Sequence, residues 1–174
     1  MSLEAALGAL HDETGRSLRA LSDQRPLLVC LLRHSGCTFC RETLAELAKQ
    51  RAAIERAGLG IAVLGMSASA STLAELGARF GLSGVSWVAD PERLLYRALR
   101  IPRGKFLQLF GLSVLLAGLR GALRGYGLGR PDADPFQMPG TAVIHRGRVL
   151  RQFIHQSAAD RPDYEGFACG LSQS

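Results

Sequence analysis

The chain has 174 residues, which suits one domain over residues 1–174 with a sizeable core rather than several domains. Its 47% hydrophobic and 21% charged residues are those of an ordinary globular protein. Lys and Arg number 21 against 15 Asp and Glu, but the arginines are scattered and aromatics make up only 6%, so no nucleic-acid partner is expected.

Leu3, Leu7 and Leu10 stand at helical spacing and predict a short helix over residues 2–10. The first residues, Met1-Ser2-Leu3-Glu4, bring an early acid and no basic stretch, so no secretion signal is read there and a reducing cytoplasm is the expected compartment. Residues 15–21 alternate weakly and run into a turn over 22–26. Leu27 to Leu32 is apolar on both faces, as in a central strand. A helix follows Cys37, with Leu44, Leu47 and Ile54 on one face and a stop at Gly58. Ile61 to Met66 is a second buried strand, and Thr72 with Glu75 fits a capping box opening the next helix, which ends near Gly81. Val85 to Val88 is a short strand, after which Asp90 as N-cap and Pro91 at the first helical position start another helix. Thr141–His145 and Val149–Ile154 read as a hairpin through Arg146-Gly147-Arg148, and a last helix covers about 163–171. Strands alternating with helices and closing on a hairpin imply an α/β chain: a central mixed sheet flanked by helices on both faces.

Residues 103–138 interrupt that plan as an insertion before the hairpin. From Phe106 to Leu119 there is no charge, with Arg103, Lys105, Arg120 and Arg124 on the flanks. Such a run is too short to cross a bilayer. Packing against the protein, as a buried helix, a lid or a homodimer face, is favoured over lying on a membrane surface. Gly121 to Pro135 reads as a loop.

The chemistry concentrates in Gly36-Cys37-Thr38-Phe39-Cys40-Arg41. Two thiols three positions apart can close a disulfide within one helical turn, and a strand leading into that turn puts Cys37 at a helix N-terminus. There the free N–H groups and the helix dipole favour the thiolate, so Cys37 is expected to be the more acidic and more exposed thiol. A zinc site needs a second ligand pair, whereas Cys30 and Cys169 are isolated and His11, His34, His145 and His155 form no close pair. Haem attachment needs a histidine where Arg41 stands, and a permanent bridge is out of place without an export signal. A redox pair is therefore favoured over a metal site or inert thiols. His34 can support the thiolate or be an ordinary polar residue at a strand end. Arg33 and Arg41 can lower the Cys37 pKa or simply face solvent. Cys30, inside an apolar strand, reads as a buried inert thiol, and Cys169 receives no role.

The stretch Leu32-Arg33-His34-Ser35-Gly36-Cys37-Thr38-Phe39-Cys40-Arg41-Glu42 resembles the AhpC/TSA-like branch of peroxiredoxin-like proteins, which includes the SelL group and the prostamide/prostaglandin F synthases. Val88 to Leu99 looks like that family's Asp-Pro-x-Arg-x-Leu-Tyr segment, and Gln137 to Ile144 is similar to its later strand. The resemblance covers residues from about 16 to 155. It implies a thioredoxin-like fold, Cys37 as redox nucleophile and Cys40 as resolving thiol, with Thr38 between them. It also implies a proline, often cis, facing the pair; Pro139 stands at the matching place, where an ordinary loop proline is the other reading. Conventional peroxiredoxins carry a Thr where this chain has His34 and a Pro where it has Cys30. The implied function is a thiol–disulfide oxidoreductase with no bound cofactor. It reduces a peroxide, endoperoxide or disulfide at the cost of a dithiol donor such as thioredoxin. A non-catalytic redox sensor or partner-docking module is the alternative.

Overall fold

The computed structural model of the chain describes residues 1–67, 69–104, 112–123, 125–126 and 133–169, without the side chains of residues 112, 113 and 169. Strand β1 (Leu27–Leu31) is apolar and buried at every position, so it takes the middle of the sheet. It pairs parallel with β2 (Gly60–Gly65), and β2 pairs parallel with β3 (Ser86–Ala89). On its other side β1 pairs antiparallel with β4 (Gly140–His145), and β5 (Arg148–Phe153) forms the exposed edge. The order is β3-β2-β1-β4-β5. Arg146 and Gly147 both have positive φ, 49° and 73°, so the predicted hairpin closes in a two-residue turn matched to the strand twist.

Helices cover both faces, as the alternation of strand and helix requires. On one, α3 (Thr38–Arg56), α4 (Ala70–Arg79) and the short α7 (Tyr164–Cys169) pack Leu44, Leu47, Leu73 and Tyr164 over Leu28, Cys30, Val63 and Val143. On the other, α1 (Leu3–Ala9), α2 (Leu18–Gln24) and α5 (Leu94–Ala98) bury Leu7, Leu18, Leu95 and Tyr96 against Val29, Leu31, Leu64 and Ile144. Successive residues of β1 thus serve opposite cores, and Cys30 and Leu32 point toward α3.

Four local readings change. Residues 18–24 are helix α2, not weak alternation and a turn, because the Ser17 hydroxyl caps the Ala20 N–H at 3.1 Å and Leu18 and Leu21 reach the core. Helix α4 opens at Ala70 behind Ser69, so Thr72 and Glu75 lie inside it rather than forming its cap. Helix α5 begins at Leu94, not at Pro91. Arg93, at φ 57°, turns the chain first, and the Asp90 carboxylate caps across that turn, accepting from Leu94 N–H at 2.7 Å and Leu95 N–H at 2.9 Å.

The fourth concerns the uncharged run. Residues 105–111 lie outside the described residues; the rest is helix α6 (Leu112–Leu123), which continues through Gly121 where the sequence predicts a loop. Protein covers only one side of it. Val114 is buried with Met138 and Ala158, while Leu115, Leu116, Leu119 and Leu123 are 67%, 49%, 59% and 81% exposed. Among the described residues no helix is long and apolar enough to cross a membrane.

Candidate active site

Strand β1 delivers the chain to the thiols and α3 takes it away. Just past the strand, the Leu32 N–H still donates to the Leu64 carbonyl at 2.8 Å, and the Leu32 carbonyl accepts the hydroxyl of buried Tyr96. The chain then turns, the Cys37 N–H donating to the His34 carbonyl at 3.1 Å, and Cys37 becomes the N-cap of α3 in extended conformation. A cysteine has no oxygen to offer and makes no side-chain cap bond. Instead the N–H groups of Phe39 and Cys40 stabilise its sulfur as an anion.

Arg33 completes the arrangement. It is 4% exposed, and its Nη1 donates to Cys37 Sγ at 3.6 Å. Its Nε donates to the Gln137 carbonyl at 3.1 Å and its Nη2 to the Pro135 carbonyl, while its backbone N–H reaches Cys40 Sγ at 3.3 Å. The two carbonyls orient the guanidinium but neutralise none of its charge. A buried cation is costly without an anion beside it, and a thiolate at Cys37 is that anion.

The two thiols consequently separate in acidity. Hydrogen bonding from the Cys40 thiol does most to hold Cys37 below the ordinary thiol range, at about 6; burial opposes this, and the Arg33 charge and the N–H groups of Cys40 and Phe39 reinforce it. The same hydrogen bond, with burial and the neighbouring thiolate, pushes Cys40 up. The proton of the pair therefore resides on Cys40. Both cysteines are buried, Cys37 5% and Cys40 3% exposed, so the expected difference in exposure is small. Both cysteines belong to the core between the sheet and α3. Helix α6 lies across the first turn of α3: a Cβ at Gly121 would stand 2.6 Å from Thr38 Cγ2, and one at Gly118 3.8 Å from Phe39 Cζ. Cys30, Cys37 and Cys40 are free thiols.

The other sequence candidates sort by geometry. His34, half-buried, contributes through its backbone: its carbonyl holds the Cys37 N–H and its N–H favours ionisation of Cys40. Thr38 is buried beneath Gly121 and seats α6. Arg41 donates to the carbonyls of Ser35 at 3.2 Å and Tyr126 at 2.9 Å, so it braces the loop. Pro139 precedes β4 and lines the cavity beside Cys40, but among the described residues no peptide bond is cis, which corrects that part of the expectation. Cys30 is buried and its thiol is pushed far up by burial, so it stays protonated. The side chain of Cys169 lies outside the described residues.

A cavity of about 20 Å³, room for one water, lies beside Cys40. Sequence reasoning missed the polar groups around it. Burial lowers the His155 pKa; its Nδ1 lies 2.6 Å from the Asp160 carbonyl and its Nε2 3.4 Å from Thr141 Oγ1. Arg161 pairs with Glu42 at 2.8 Å, one turn from the thiols, and the Tyr164 hydroxyl donates to Thr43 at 3.3 Å. Thr141 in an apolar strand and Glu42 on an inner helix face were the available signals; nothing local marks His155 or Arg161. Among the described residues no three His, Cys, Asp or Glu side chains converge to hold a metal.

No family model matches the chain. Human Peroxiredoxin-like 2C is 31% identical over 147 residues, 79% of this chain and 63% of that protein, so the match spans less than two thirds of the human relative. Mouse Peroxiredoxin-like 2C is 30% identical over 168 residues, 88% of this chain and 73% of that one. The chain belongs to the peroxiredoxin-like family. Its fold agrees with that membership. The structure superposes on Xanthomonas campestris Peroxiredoxin Q with a TM-score of 0.61 at 16% identity, covering 96% of this chain and 89% of that one, which shows the thioredoxin-like fold.

Proposed function

We propose that this peroxiredoxin-like chain is a thiol–disulfide redox enzyme with Cys37 as nucleophile and Cys40 as resolving thiol. The observation that carries the reading is the buried Arg33 guanidinium 3.6 Å from Cys37 Sγ, in a pair whose proton resides on Cys40. The Cys37 thiolate attacks a peroxide oxygen; the O–O bond breaks, the sulfur becomes a sulfenic acid, and the leaving alkoxide takes up a proton. Cys40 then displaces the sulfenic oxygen as water and forms the Cys37–Cys40 disulfide. With a disulfide as acceptor, the thiolate instead forms a mixed disulfide that Cys40 resolves. A dithiol donor such as thioredoxin returns two electrons and two protons. The steps use thiols alone and need no bound cofactor, and such cycling suits a reducing compartment such as the cytoplasm.

Near-complete burial of both sulfurs favours a second reading, a redox sensor that reacts once and is reset slowly. Steady-state turnover of a peroxide or a small disulfide with a dithiol donor separates the two. The enzyme reading expects many turnovers, none in Cys37→Ser, and a single stoichiometric reaction in Cys40→Ser. Consumption stopping at one equivalent in the unaltered protein rejects catalysis in favour of the sensor.

A further inference from the structure

Helix α6 is built inside out. Its small positions, Gly118 and Gly121, lie over Phe39 and Thr38, and Val114 fills the gap by Met138. Leu115, Leu119 and Leu123, at i, i+4 and i+8, form a stripe on the outer side with Leu116 beside it, each about half exposed or more. A helix resting on a water-soluble surface shows the opposite pattern. A contiguous apolar patch of this kind marks an interaction site.

The charge around the stripe identifies what it meets. Between Glu92 and Asp132 the sequence holds eight Lys and Arg and no acid, while the remaining residues carry 13 basic and 15 acidic side chains. The positive excess of the whole chain is thus confined to the segment that contains α6. Arg93 and Arg103 share Asp134 as ion-pair partner, at 2.9 and 3.1 Å, so one carboxylate offsets part of that charge. Arg120, exposed on the helix itself, sets a positive charge beside the stripe. Leucines flanked by arginines match the boundary of an anionic bilayer, where acyl chains lie beneath phosphate and carboxylate groups. A second copy fits less well, since a two-fold contact through this face sets Arg120 and its neighbours against their own images.

We propose that the outer face of α6 docks the protein onto an anionic membrane surface, with the 12-residue helix lying in the plane of the interface. The shortness that forbids spanning is no obstacle to this position. Because α6 covers the first turn of α3, docking holds the thiol pair beside the lipid.

Flotation of the full chain with phosphatidylcholine vesicles, with and without phosphatidylserine, tests this. The protein should bind phosphatidylserine-containing vesicles about tenfold more tightly than neutral ones, and high salt should abolish the difference. Leu119→Asp with Leu123→Asp should lower binding about tenfold or more. Emission of Trp87, 3% exposed in the core, reports whether the variant remains folded. Should it unfold, the lipid and salt dependence of the unaltered chain decides alone. Absence of binding to phosphatidylserine vesicles, or equal binding to both kinds, overturns the proposal. So does a dimer in sedimentation that the double variant splits, with no vesicle binding: the face is then a homodimer contact.

Discussion

At Cys37 two neighbours act on one sulfur with unequal strength: the Cys40 thiol gives more than the Arg33 charge. The thiolate is the species that alkylates, so the rate at Cys37 should climb as pH rises through about 6. In Arg33→Met the midpoint should move up by about one unit, slowing alkylation several-fold at pH 6. Cys40→Ala should move it further. A midpoint indifferent to Arg33 would separate the buried cation from the chemistry. After mild oxidation, mass spectrometry of a non-reducing digest should show Cys37 linked to Cys40, and a stable link to Cys30 would overturn the pairing.

Among the elements, two contacts set the site. The first is α6 on α3. Gly121→Ala would force a Cβ to within 2.6 Å of Thr38 Cγ2 and should cost about 1–3 kcal/mol in urea unfolding. Gly118→Ala meets only Phe39 at 3.8 Å and should be neutral or slightly stabilising, since alanine favours a helix. Equal effects from the two would mean that α6 does not rest there. The second is the α5 cap. Asp90 holds two N–H groups of α5, and α5 carries Tyr96, whose hydroxyl fixes the Leu32 carbonyl next to Arg33. Asp90→Ala should lose about 1–3 kcal/mol and Asp90→Asn less, read from denaturant midpoints.

Across the whole molecule, Asp12 ties the N-terminal loop to the far edge of the sheet. Burial acts to raise its carboxyl, but the Thr14 hydroxyl, the Arg16 and Thr14 N–H groups and the Ser86 hydroxyl outweigh it and leave the group below its ordinary value. A carboxyl depressed by folding contributes stability above its unfolded value of about 3.9, and that contribution is lost as pH falls through the lower folded value. Asp12→Asn should therefore cost about 1–3 kcal/mol at pH 7. Its gap to the unaltered protein should close below about pH 4, measured by urea unfolding at each pH. A gap that stays constant with pH would mean that the carboxylate charge contributes nothing.

The sequence by itself determined what is local. Apolar runs marked β1 and β2, the spacing of Cys37 and Cys40 marked a thiol pair at a helix start, and Arg146-Gly147 marked the hairpin, because each depends on residues a few positions apart. The family resemblance extended this to the thioredoxin-like fold. Only the tertiary structure decided the rest, since the deciding partners are distant in the chain. Arg33 becomes part of the site only when the carbonyls of Pro135 and Gln137, 102 and 104 residues away, hold it down. Asp90 shows the same limit at short range: its cap was legible, but the left-handed turn at Arg93 that delays α5 was not. For α6 the uncharged run showed that a helix was possible but not which side would face water. That was settled by Thr38 and Phe39 accepting Gly121 and Gly118, 83 and 79 residues downstream, which leaves the leucines outside.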